Sequence, residues 1–194
     1  MKKFLTAVLA ISVLFVSSFY TTAYAASNPI SSLKDNNSYS ETYFDNNNKL
    51  HVKSKLIEFT PDYQKFVTVI GVPGDANQIL ARSSVGKEVV YTTLHRDGTF
   101  EIEVQCYAPE LIKYGTIHGL RTYGAIGSRK YGANLKASNF TPGPVLTFEH
   151  NFTGMSTYHS GTQYIEVGPG ELTLVNGAGS FTSFTTDVDI QNFN

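Results

Sequence analysis

Glu88-Val89-Val90-Tyr91-Thr92-Thr93-Leu94-His95-Arg96-Asp97-Gly98-Thr99-Phe100-Glu101-Ile102-Glu103-Val104-Gln105-Cys106-Tyr107 is the stretch on which the fold class turns. Phe100, Ile102, Val104 and Cys106 occupy one parity, while Glu101, Glu103 and Gln105 occupy the other. A strand with that alternation buries one face and wets the other. Arg96-Asp97-Gly98 ends on glycine, which suits a three-residue hairpin loop, a type I turn followed by a left-handed glycine bulge. Such a loop sets Leu94 opposite Phe100, Thr92 opposite Ile102 and Val90 opposite Val104. A two-residue Asp97-Gly98 loop would set His95 opposite Phe100 and leave Leu94 and Val90 outside. The three-residue register buries more aliphatic surface and is the one predicted. Cys106 falls on the inward parity, where it reads as a small core residue.

Outward from this hairpin the chain continues in the same style. Short runs rich in Val, Ile, Thr, Tyr and Phe alternate with Gly, Pro, Asn and Asp. Predicted strands cover 50–59, 64–72, 78–82, 88–95, 99–107, 117–123, 133–138, 145–152, 158–167, 171–175 and 180–190. Helical spacing of apolar residues is nearly absent; one short helical turn is predicted at 109–113, with Pro109 in its first position. The pattern predicts an all-β domain over 49–194. An antiparallel β-sandwich of about seven to ten strands is expected, with a partly closed β-barrel as the alternative.

The string Tyr91 to Val104, an apolar strand, an Asp-Gly-Thr-Phe turn and an alternating strand, resembles the hairpin of bacterial immunoglobulin-like domains. The resemblance covers about 20 residues and implies an immunoglobulin-like sandwich; it implies almost nothing about function, because such domains serve as spacers and as binders of many kinds. In its leader and composition the whole chain is also similar to small secreted proteins of Gram-positive bacteria.

The chain has 194 residues, of which 41% are hydrophobic and only 16% charged. That balance excludes a highly charged disordered chain and a coiled coil. Lys2 and Lys3 precede an apolar run from Phe4 to Val16, and Ala23-Tyr24-Ala25 forms a small-x-small cleavage signature. Residues 1–25 therefore read as a secretory signal peptide cleaved after Ala25. The apolar run is shorter than the roughly 20 residues that span a bilayer, so no stable membrane span is expected after cleavage. Residues 26–48 read as a polar, mostly loose N-terminal arm in which Tyr39, Tyr43 and Phe44 are the residues able to latch onto the domain.

Without the leader the chain carries 13 basic and 16 acidic side chains, a formal charge of −3. This argues against a nucleic-acid partner. The near-neutral total conceals three blocks: −3 over 26–110, +5 over 111–136 and −5 over 137–194. The basic block also holds three Tyr-Gly pairs, Tyr114-Gly115, Tyr123-Gly124 and Tyr131-Gly132. Tyrosine offers an amphipathic face, and arginine holds phosphate or carboxylate bidentately. Candidate ligand-binding residues are therefore Tyr114, Arg121, Tyr123, Arg129, Lys130 and Tyr131. Anionic polysaccharide, teichoic acid or lipid head groups are the partners they suggest. The competing expectation is that the basic block lies beside the acidic C-terminal strands and the charges pair.

No catalytic, cofactor or metal site is expected. The five histidines, His51, His95, His118, His150 and His159, never take metal-site spacing. Ser31-Ser32-Leu33-Lys34 matches a Ser-x-x-Lys pattern but sits in the polar lead-in, not at a helix start. Asp187 and Asp189 share a strand face without the glycine loop of a calcium site. The expectation is a secreted, non-enzymatic binding or cell-surface interaction module. The alternatives are a small pore-forming protein, whose hairpin would come from the Ser/Thr/Gly-rich segment 157–190, and a hydrolase whose site is assembled only in three dimensions.

Overall fold

The computed structural model describes residues 40–71, 86–132 and 134–193, with the backbone alone for 128–131. Among these residues there are thirteen strands and no helix. They are β1 (Thr42–Phe44), β2 (Leu50–Lys53), β3 (Lys55–Phe59), β4 (Tyr63–Ile70), β5 (Lys87–His95), β6 (Phe100–Ile117) and β7 (Leu120–Gly124). Then follow β8 (Gly127–Tyr131), β9 (Leu135–Phe152), β10 (Gly161–Val167), β11 (Gly170–Leu174), β12 (Ala178–Phe181) and β13 (Phe184–Ile190).

The β5–β6 hairpin has the register its alternation predicts: Leu94 pairs with Phe100, Thr92 with Ile102 and Val90 with Val104. Gly98 closes the turn at φ 84°, a left-handed value at which a side chain is strained. Its His95–Thr99 closure is held by Asp97, whose Oδ1 accepts from the Thr99 amide at 2.8 Å. Cys106 is fully buried, as its parity implies.

Two sheets result. One has six strands in the order β1-β2-β13-β10-β7-β8; the other runs β12-β11-β6-β5-β4-β3, with β9 on the second edge of β6, and curls into a half-barrel. All pairings are antiparallel except β2 with β13. The chain is thus all-β, with more strands than the seven to ten expected.

Four local expectations are corrected. The helical turn predicted at 109–113 is strand. β6 continues through it with a bulge, since Tyr107 pairs with Val145 but Ile112 with Gly143. Ile112 is buried, Leu111 accepts from the Val175 amide, and Pro109 stands on the bulge where no ladder N–H is required. A complementary bulge in β9 is pinned by Asn139, whose Nδ2 donates to Ile112 O at 3.0 Å and Val145 O at 2.9 Å. Such paired bulges bend the long β6–β9 ladder. Second, 180–190 is two strands, β12 and β13, which belong to different sheets and bury Phe181 and Phe184 separately. Third, Gly127–Tyr131 forms β8, which its lack of aliphatic residues concealed. Fourth, 50–59 is two strands, β2 and β3, which belong to different sheets. Within 26–48, expected as mostly loose, Thr42–Phe44 pairs with β2 through the latching Tyr43 and Phe44, whose rings favour a strand. The strand predicted at 78–82, the leader 1–25 and residues 26–39 lie outside the described residues.

A single hydrophobic cluster fills the space between the sheets, with Phe66, Phe100, Phe148, Ile165 and Val188 among its members. Polar groups enter it in satisfied pairs. Gln163 accepts from the Ile126 amide at 2.9 Å and donates to Thr122 at 2.6 Å. Thr68 hydrogen-bonds Thr186, joining the two sheets. Two groups depart from this: the Thr92 hydroxyl, 1% exposed, has no hydrogen-bond partner, and Glu88 is 3% exposed, pairs across the ladder with Cys106, and has an Oε1 with none. Burial pushes the Glu88 carboxyl up to about 8. Burial, with the Glu88 carboxylate second, also drives the Cys106 thiol far above its ordinary range.

Candidate functional site

The six-stranded sheet turns Val52, Ile165, Thr122 and Thr186 to the core, so their neighbours face outward. One outward row runs across five adjacent strands. Tyr43 of β1 lies opposite His51 of β2; Asp187 of β13 lies opposite Tyr164 of β10; and Tyr164 lies opposite Tyr123 of β7. The rings form a nearly continuous series. Tyr43 stacks on His51 at 4.9 Å, His51 meets Tyr164 edge-on at 5.8 Å, and Tyr164 stacks on Tyr123 at 5.2 Å. At the usual interstrand spacing the row is about 19 Å long.

Asp187 is the hub of this row. It is 6% exposed and receives the Tyr43 hydroxyl at 2.5 Å, while His51 Nδ1 lies 2.7 Å from its other oxygen. His51 Nε2 faces Asp45 Oδ2 at 3.6 Å. Burial first, then the hydrogen bond to Asp187, holds the Tyr43 phenol well above its ordinary range. Asp45 belongs to the β1–β2 turn, where the Lys49 and Asn47 amides donate to its Oδ1; the Lys49 amide leads in drawing its carboxyl below the usual range. The imidazole is therefore clamped between two carboxylates and covered by a tyrosine. A general base needs one ring nitrogen aimed at a nucleophile or substrate. Here both nitrogens are aimed at acids.

Alongside runs a charged row. Glu166 Oε1 lies 3.1 Å from Lys49 Nζ and 3.6 Å from Arg121 Nη1. Arg121 and Glu166 are direct cross-strand partners, which joins the basic block to the acidic C-terminal block. His118 and Glu171, at 3.7 Å, repeat that joining on the surface.

The six candidate residues are divided between the sheets. Arg121 and Tyr123 lie together on β7, and β8 brings Tyr131 opposite Arg121 and Lys130 opposite Thr122, with Arg129 next along the same strand. Tyr114 is apart from them, on β6 of the curled sheet, with its hydroxyl 2.9 Å from Thr116 Oγ1. Lys113 and Lys136 of the basic block also belong to that sheet.

The glycines of the Tyr-Gly pairs have steric roles. A Cβ on Gly115 would stand 2.6 Å from Leu146, 2.8 Å from Leu172 and 2.9 Å from Phe148, so this glycine makes room for core side chains. Sequence reasoning missed Tyr43 as a site residue, and missed His51, Tyr164, Glu166, Asp187 and Lys49. Strand alternation turns Tyr164 and Glu166 outward, but nothing local pairs them with His51.

Asp187 and Asp189 do share a face, but Asp187 is turned to His51 and Tyr43 while Asp189 accepts from Thr162. Among the described residues no group of three His, Cys, Asp or Glu side chains is arranged to hold a metal ion, and no helix is long and apolar enough to cross a membrane. Comparison with protein-family models, curated proteins and solved structures finds no match to this chain.

Proposed function

We propose that this chain is a secreted, non-enzymatic binding module that lays a polysaccharide of the cell envelope or of a host surface across the outward row of the six-stranded sheet. The observation that carries the reading is the Tyr43–His51–Tyr164–Tyr123 series, an aromatic strip crossing five strands beside a charged row. Within it His51 is buried beneath Tyr43, and Tyr43, Tyr164 and Tyr123 are the rings a ligand would meet. Aromatic faces and edges receive the apolar faces of sugar rings, and the flanking Arg121, Glu166 and Lys49 offer hydroxyl-directed hydrogen bonds. Because Lys49 and Arg121 share Glu166, stacking outweighs net charge in this contact, and binding to an acidic envelope polymer such as teichoic acid would show a shallow salt dependence. Lipid head groups, which depend on net positive charge, fit the same face less well.

Secretion rests on the leader pattern of residues 1–25. The scaffold is read as an immunoglobulin-like sandwich whose second sheet curls toward a barrel, supported by the Asp-Gly-Thr-Phe hairpin. The clamped His51 speaks against the hydrolase alternative, and the division of 157–190 between two sheets speaks against a pore-forming hairpin.

The test is retention of the full exported chain on cell-wall polysaccharide, purified teichoic acid and anionic liposomes. Retention on a polysaccharide fraction that drops at least tenfold in Tyr123→Ala/Tyr164→Ala is the expected result. Equal retention of the double variant, or retention on liposomes alone, would sink the reading.

A further inference from the structure

The turn that joins β5 to β6 has a second feature, on different residues from the outward row. Two hollows adjoin at Arg96. One, of about 410 Å³, is lined by Arg96, Thr157, Tyr158, Asn192 and Phe193. The other, of about 470 Å³, is lined by Asp62, His95, Arg96 and Asp97. We propose that this double hollow binds a single sugar ring bearing an oxyanion, a carboxylate or a phosphate, with the anion on Arg96 and the ring against Tyr158.

The backbone of Arg96 is fixed while its head is left available. Its amide donates to Asp62 O at 2.8 Å and its carbonyl accepts from Thr157 Oγ1 at 3.3 Å. The guanidinium makes one long contact, Nη1 to Pro61 O at 3.4 Å, and no carboxylate pairs with it among the described residues. A guanidinium held this way keeps the planar fork that takes an oxyanion bidentately.

Tyr158, in the lining of the same hollow as Arg96, stands 88% exposed, an unusual position for a large ring. Phe193 lines the same hollow and is itself backed by Phe59, with ring centroids 6.3 Å apart. A sugar ring seated in this hollow meets aromatic side chains, with Asn192 and Thr157 in the same lining for its hydroxyls.

The two hollows differ in charge, and that difference gives the ligand a direction. Among the described residues the Tyr158 hollow is lined by no acid, whereas the other holds Asp62 and Asp97. An anion is therefore directed to the Tyr158 side of Arg96. On the other side the two carboxylates accept from neutral hydroxyls, and Asp97 remains ionised because the Thr99 amide holds its carboxyl below the ordinary range. A neutral sugar lacks the Arg96 contact, and a bare anion lacks the Tyr158 contact.

The experiment is an amide NMR titration of the full chain with glucuronate, glucose 6-phosphate, glucose and acetate, following residues 96–99 and 157–158. Either charged sugar should shift these amides with an affinity at least tenfold above that of glucose and of acetate, and the tighter of the two identifies carboxylate or phosphate as the preferred anion. Arg96→Gln should remove the advantage over glucose, and Tyr158→Ala the advantage over acetate. Both positions are exposed, so neither change threatens folding. Charged sugars binding no better than glucose, or an advantage that persists in Arg96→Gln, overturns the proposal, as does acetate matching the sugars. Because Tyr123→Ala/Tyr164→Ala leaves these residues untouched, loss of polymer binding at the outward row and loss of sugar binding here are read separately.

Discussion

Asp187 in the six-stranded sheet and Glu88 in the curled one are both almost removed from solvent, at 6% and 3% exposure. Around Asp187 the chain has assembled partners: the Tyr43 hydroxyl, the His51 ring and, through its backbone carbonyl, the Ser54 hydroxyl and amide. Around Glu88 it has assembled apolar side chains and Cys106, and one oxygen is left without a hydrogen bond. A carboxylate is accommodated in the first region because its charge is met at fixed positions. In the second it is accommodated only by holding a proton, since desolvation disfavours the ionised form. Burial alone therefore says little about what an acid does; the donors around it decide.

The most direct way to break this comparison is through pH. The carboxyl of Glu88 sits at about 8 in the folded chain against an ordinary value of 4.5. Between those values the folded chain holds a proton that the unfolded chain has released, so the stability this group contributes falls as pH rises through the window, and is fully present only below it. The slope is on the order of 1 kcal/mol per pH unit. Denaturation of the wild type and of Glu88→Gln at pH 5, 6.5 and 8 measures the difference. The variant should lose the slope, and parallel curves for the two proteins would show that Glu88 is not neutral in the core.

Asp187→Ala attacks the other side of the comparison. It strips Tyr43 and His51 of their shared acceptor and should cost about 1.5–3 kcal/mol, because hydrogen bonds to a charged group in a buried setting carry that much. Hydrogen exchange should quicken first in β1 and β2. A midpoint in denaturant unchanged from wild type would mean that the hub is ornamental. Lys49→Ala should have the smallest effect, within about 1 kcal/mol, since Lys49 is half exposed and Arg121 still faces Glu166. A larger loss would show that the charged row acts as a unit.

The hairpin at 88–107 was legible because its alternation and its turn agree, and two independent signals then fix one register. That register already contained the unusual acid. It turns Leu94, Thr92 and Val90 inward, and Glu88 shares their parity. An acid at the start of a strand reads as solvent-facing unless the ladder is known to reach it. The extension of β6 past Pro109 was concealed because proline in a strand normally marks an end, and only the paired bulges permit it. Arg121 and Tyr123 were found through composition, and their outward alternation on one strand made them neighbours of a common row. His51 and Asp187 were not found, because 136 residues separate them and no local pattern joins strands that meet from opposite parts of the chain.

The parallel pairing of β2 with β13 also sets an order of events during folding. Val52 and Thr186 are 134 residues apart, and Thr186 donates to the Val52 carbonyl across that pair. Closing so long a loop carries a large entropic cost, and ladders of this kind form after the local hairpins. A growing chain that has not reached β13 can make the β5–β6 hairpin but offers β2 no strand to lie against. The β1–β2 hairpin, and with it half of the aromatic strip, thus docks on its sheet partner only after β13 has been made.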